Sequence, residues 1–95
     1  MIIELYEAKP PHKYEVIING KSVSFGASGY EDYTISKDEE RKRLYLKRHS
    51  SRENWGKSGI RTAGFWSRWL LWNKDTINKS INDIEDKFGV KIIKR

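Results

Sequence analysis

The sequence predicts an α+β fold, with a small antiparallel sheet and three helices packed on one face of it. Three observations carry that expectation. Two strand-like segments flank Asn19-Gly20, an aromatic-rich helical segment follows residue 62, and a narrow Ile/Phe stripe at helical spacing stops at Gly89. Ninety-five residues make one domain, spanning 1–95, and leave no room for a second.

Ile2–Tyr6 reads as an N-terminal strand, and Lys9-Pro10-Pro11-His12 as an extended linker, so residues 1–12 form a strand plus linker. Asn-Gly is the favoured pair for a two-residue type I′ turn. That turn sets Val16 opposite Val23 and Tyr14 opposite Phe25. Tyr14, Val16, Ile18, Val23 and Phe25 then share the core-facing side. Gly26–Thr34 follows as a loop rich in small residues and tyrosine.

Ser36-Lys37-Asp38-Glu39 has the S-x-x-E spacing of a capping box, so a first helix is expected from Ser36 to about Ser51. Asp38/Lys42 and Glu39/Arg43 are i,i+4 pairs with the acid on the favourable N-terminal side. Leu44, Tyr45 and Leu46 point in three directions, and no broad apolar stripe exists. Ser50–Gly64 is a second loop holding Trp55. A second helix is expected from Thr62 or Ala63 to Asn73, with Phe65, Trp69 and Trp72 on one face and Trp66 and Leu70 beside them. Leu71 falls on its polar side and hints at an intermolecular contact. A third helix starts at Asp75 or Thr76, carries the stripe Ile77, Ile81, Ile84 and Phe88, and ends at Gly89. Val90–Lys94 is a last short strand, free to pair with the N-terminal strand or the hairpin.

Apolar residues are only 37% of the chain and charged residues 34%, but four Trp, five Tyr and three Phe supply enough area for one core. With no cysteine, disulfides and thiolate metal sites are excluded. The N-terminus lacks the pattern of a signal peptide, and the longest apolar run, Trp69–Trp72, is far too short to span a bilayer. A soluble intracellular protein is expected.

Catalysis finds little support. The two histidines, His12 and His49, have no acid at a spacing that suggests a dyad, and no enzyme, cofactor or metal is expected. Glu31, Asp32 and Asp38–Glu40 are clustered, yet Asp38–Glu40 have an ordinary role facing a helix dipole. Gly56-Lys57-Ser58 is not a phosphate loop, because Ser51 stands where the first glycine is required and a helix, not a strand, precedes it. Gly56–Gly59 also fits the G-x-x-G of KH domains, but so does Gly26–Gly29, and the element order differs. A plain phosphate contact by Lys57 is the better reading.

Charge distribution is more informative than the net charge of +6. Residues 36–74 hold eleven Lys/Arg against four acids, whereas residues 1–35 hold three against five. A field concentrated in one segment favours encounter with polyanions. Within it, Arg41, Tyr45, Arg48 and Arg52 fall at i, i+4, i+7 and i+11, a basic-aromatic stripe flanked by Lys42 and His49. Trp55, Lys57 and Arg61 follow in the loop. These nine residues are the candidate nucleic-acid contacts: the cations on phosphates, Tyr45 and Trp55 as stacking or packing partners. The simpler reading of the same charge is a solubilising surface.

Several stretches also carry a resemblance. Phe25–Thr34 (FGASGYEDYT), Arg41-Lys42, Arg48-His49, Glu53-Asn54-Trp55 and above all Ser58–Lys74 (SGIRTAGFWSRWLLWNK) are similar to a family of short, uncharacterised basic proteins encoded by large double-stranded DNA viruses of eukaryotes. The likeness runs from Lys13 to Phe88. It implies a viral setting, in the host cytoplasm or nucleus or in the virion, and transfers no functional residue. The leading expectation is therefore a viral protein that binds DNA or RNA without strong sequence preference. The alternative is a virion structural or interaction protein, such as a minor capsid or cementing component, using the same face against an acidic viral protein.

Overall fold

The Asn19-Gly20 turn forms as the sequence predicts, with φ of 51° and 79° at its two residues. A computed structural model, which describes all 95 residues, places it between β2 (Tyr14–Ile18) and β3 (Lys21–Phe25). Val16 lies opposite Val23 and Tyr14 opposite Phe25, the register required to put the apolar side chains on one face. β1 (Ile2–Glu7) pairs antiparallel with β2, and β4 (Lys91–Lys94) pairs parallel with β1, giving the order β3-β2-β1-β4. The sheet is thus mixed and not antiparallel throughout. A parallel neighbour needs a long crossover, and the helical segment between β3 and β4 supplies it.

The first predicted helix divides in two. Asp32 caps a single turn, α1 (Tyr33–Ser36), by accepting from the Thr34 N–H at 2.9 Å. Lys37 then adopts a left-handed conformation (φ 53°), and α2 (Glu39–His49) starts afresh. Its cap is Asp38, which accepts from the Glu40 and Arg41 N–H groups at 3.0 and 3.2 Å. Ser36 is therefore not the cap that the S-x-x-E spacing suggested. The Ser36 hydroxyl accepts from the Asp38 N–H at 3.3 Å, ahead of the helix, and the aspartate one step before the first helical residue takes the orphan donors.

The second predicted helix starts as α3 (Ala63–Trp66), capped by Thr62, and widens into a π-helical turn over Ser67–Leu71. There the Trp72 N–H reaches back five residues to the Ser67 carbonyl at 3.0 Å. The wider turn changes which side chains face inward, and Leu71 becomes part of the core at 2% exposure. It is not a surface contact residue. α4 (Ile77–Phe88) matches its expected limits, capped by Thr76 and closed by Gly89 at φ 67°.

One core joins the layers. Ile3, Leu5, Val16, Ile18 and Phe25 from the sheet meet Phe65, Trp66, Leu70 and Leu71, with Ile81 and Ile84 of α4. Trp66 is fully buried and its indole N–H donates to the Ile60 carbonyl at 2.7 Å, so its polar atom costs nothing to bury. Between sheet and helices runs the loop after β3, fastened by an ion pair. The Lys13 ammonium lies 2.6 Å from the carboxylate of Asp32, whose side chain is only 4% exposed. The same carboxylate caps α1.

Removing one partner of a buried pair leaves an uncompensated charge, which is far costlier than losing a surface bridge. Asp32→Ala is expected to destabilise the protein by about 3–5 kcal/mol in denaturant unfolding. A loss near that of an exposed ion pair, under about 1 kcal/mol, would show that the loop does not depend on this fastening.

Candidate nucleic-acid interface

α2 has no fully buried side chain, so aromatic stacking and a few polar contacts hold it in place. The Tyr45 ring lies flat on Trp72, with centroids 4.5 Å apart and planes 5° from parallel. His49 covers its other face at 4.4 Å. Burial pushes the Tyr45 phenol up to about 12. One turn earlier, the Lys42 ammonium donates to the Asn73 carbonyl at 2.6 Å and sits 4.8 Å from the centre of the Tyr33 ring. Burial holds this ammonium below the ordinary lysine range, with Glu39 acting in the opposite sense. Lys42 and Tyr45 are therefore anchors of α2 and not displayed contacts.

The opposite side of α2 is exposed and basic. Both of its own acids, Glu39 and Glu40, sit in its first turn, and Glu40 is taken by Arg43 at 2.5 Å. Arg41 approaches Glu31 at 3.6 Å. Beyond them Lys47, Arg48 and Arg52 have no carboxylate within ion-pairing distance. Three basic residues in the last turn also suit the negative end of the helix dipole.

The chain then folds back on itself. The Asn54 amide donates to the Ser58 hydroxyl at 2.8 Å and its carbonyl oxygen accepts from the Gly56 N–H at 3.1 Å. A 3₁₀ turn over Lys57–Gly59 completes the knot. Gly59 is buried against Asn54, and a Cβ there would fall 2.0 Å from the Asn54 carbonyl oxygen. Trp55 points inward, its carbonyl accepting from the Trp69 indole at 2.8 Å and its ring facing the Arg68 guanidinium at 5.5 Å. Lys57 and Arg61 are left on the outside, exposed and without ion-pair partners.

Of the nine residues singled out from sequence, Arg48, Arg52, Lys57 and Arg61 are thus unpaired, exposed cations within one stretch, 48–61. Arg41 is exposed but shared with Glu31. Lys42, Tyr45 and Trp55 are packed inward, and His49 lies half-buried against Tyr45 with its Nδ1 3.6 Å from Glu53. That contact corrects the expectation that no acid accompanies either histidine, for Glu53 is one turn on at i+4. Lys47 belongs with the exposed set although it lies outside the stripe. Its sequence signal is the absence of any acid three or four residues away on either side. The displayed aromatic is Tyr30, 73% exposed, while Tyr33 is buried and its hydroxyl donates to Glu39.

No three His, Asp or Glu side chains converge as a metal site would require, and no helix is long and apolar enough to cross a membrane. Residues 7–49 match a family of unknown function, DUF5754. The match covers less than half of the chain, from the end of β1 to the end of α2, and stops before Arg52, Lys57 and Arg61. No curated protein and no solved structure matches the chain.

Two outcomes are expected. Gly59→Ala forces backbone apart and should cost about 1–3 kcal/mol in denaturant unfolding. Because the Tyr45 phenol holds its proton more tightly in the folded state, its contribution to stability is complete below pH 10 and is lost as pH rises through about 12. An ultraviolet titration should show a last phenolate step that Tyr45→Phe removes.

Proposed function

We propose that this protein binds nucleic acid through its phosphate backbone, in a viral setting. One observation carries the reading: Arg48, Arg52, Lys57 and Arg61 lie in a single 48–61 stretch whose fold turns its apolar and acidic groups inward and leaves these cations without partners. A cation left exposed without a carboxylate partner is free to neutralise a polyanion. Three of the four are arginines, whose planar guanidinium matches phosphate oxygens in a bidentate manner. Contacts of this kind position a strand without reading its sequence. The viral setting rests on the resemblance carried by Phe25–Thr34 and Ser58–Lys74. On that reading the protein acts in the host cytoplasm or nucleus, or in the virion.

Each neutralised phosphate releases counterions, so four contacts set the salt dependence. For mixed-sequence DNA the slope of log K against log salt is expected to be about −3 to −4, and affinity should fall on the order of 100-fold between 50 and 200 mM salt. Replacing Arg48, Arg52, Lys57 and Arg61 together by Gln should flatten that slope towards zero. Absence of binding at low salt, or binding indifferent to salt, overturns the proposal.

A further inference from the structure

An open cavity of about 380 Å³ is bordered by the loop after β3, α2 and the start of α3. Small residues make the room: Gly26, Ala27, Ala63 and Gly64 line its walls. The space at Gly64 is filled by a neighbour, since a Cβ there would lie 1.5 Å from a carboxylate oxygen of Glu53. Tyr45 and Trp72 line it too, and the exposed Tyr30 stands at its mouth.

Its polar groups differ in what they have left to give. Lys13 and Asp32 satisfy each other at 2.6 Å, and Glu31 is shared with Arg41 at 3.6 Å. Glu53 is different. Its side chain is 28% exposed, it lines the cavity, and its one ion-pairing contact is the His49 imidazole at 3.6 Å. A carboxylate has about four acceptor positions, so most of this one's capacity is unused. A ligand for the cavity must therefore donate hydrogen bonds, and a flat one can be covered by the exposed Tyr30 ring.

None of the four proposed phosphate contacts lines the cavity, but their chain neighbours do. His49 and Glu53 each directly follow one of these arginines, Arg48 and Arg52, and Ala63 lies two residues beyond Arg61. A strand held by those cations brings its bases alongside the opening. We infer that the cavity receives one unpaired, amino-bearing nucleobase, with Glu53 accepting from its exocyclic amine and Tyr30 closing over its face. The inference rests on the nucleic-acid reading above and makes it more specific, towards single strands. A base held in a duplex cannot enter. Cytosine offers its N4 amine to a carboxylate, whereas thymine flanks its single N–H with two carbonyl oxygens that a carboxylate repels.

The test uses the full chain and labelled oligo-dC, oligo-dT and mixed-sequence duplex of equal length, followed by fluorescence anisotropy at fixed salt. Stacking and one charge-assisted hydrogen bond should make oligo-dC bind on the order of tenfold tighter than either of the others. Tyr30→Ala, a change at an exposed loop position, should remove most of the advantage over duplex while leaving the salt slope intact. Glu53→Gln, nearly isosteric, should remove the preference for oligo-dC over oligo-dT. Equal and salt-sensitive binding of all three probes overturns the base pocket and leaves phosphate binding standing, as does a preference that survives both substitutions. Failure to bind any probe at low salt overturns the phosphate reading itself.

Discussion

The flat contact between Tyr45 and Trp72 decides which side of α2 meets solvent. This helix has no apolar stripe, so burial alone does not fix its rotation about its own axis. With Tyr45 pressed between Trp72 and His49, and Lys42 tied to the Asn73 carbonyl, only one rotation remains. In that orientation Leu44, Lys47 and Arg48 face outward. The long side chain of Lys42 contributes packing while its ammonium stays hydrogen-bonded, a use of an amphipathic residue where Leu or Ile is more usual. The basic surface is thus a consequence of how the core closes, not an addition to it.

The same economy shapes the segment after α2. A small domain has little apolar area to spend, and here three tryptophans and an arginine share one corner. Arg68 lies 4.2 Å from the centre of the Trp69 ring and 5.5 Å from that of Trp55, and its guanidinium donates to the Trp72 carbonyl at 2.7 Å. Burial lowers the affinity of Arg68 for its proton, yet an arginine keeps its charge under any ordinary condition. Cation–π contacts take the place of the absent carboxylate. Trp55 is therefore committed to packing, and the chain between it and Arg61 is held against the core with its remaining cations directed away.

Much of this fold is legible in the sequence where local chemistry and long-range packing agree. Asn19-Gly20 specifies a turn, the turn specifies the register, and the register specifies the core face. α4 is equally readable, because Thr76, the Ile stripe and Gly89 all give the same limits. The π-helical turn is not readable, since nothing in Ser67–Leu71 departs from ordinary helical periodicity, and Leu71 is assigned to the wrong side as a result. The capping box at Ser36 fails because Asp32 and Asp38 are better caps on either side of it. Within the candidate site, charge is visible in the sequence and orientation is not. Arg41, Tyr45 and Arg48 do run along α2, on the border between its packed and exposed sides, whereas Arg52 lies in the turn beyond its end. Whether a cation on that border is free depends on distant partners, such as Asn73 for Lys42 and Glu31 for Arg41, which no local pattern shows.

On the proposed reading, ligand contact is confined to the surface displayed by residues 48–61 and the cavity beside it. Backbone amide chemical shifts followed during titration with a short single-stranded oligonucleotide test it most directly. The largest changes are expected at Arg48, Arg52, Lys57 and Arg61, with smaller ones at Tyr30 and Gly64. The outer sheet residues Glu4, Ile17 and Ser22 are expected to remain unchanged. Changes centred on the outer sheet face, or spread evenly over the molecule, would contradict it.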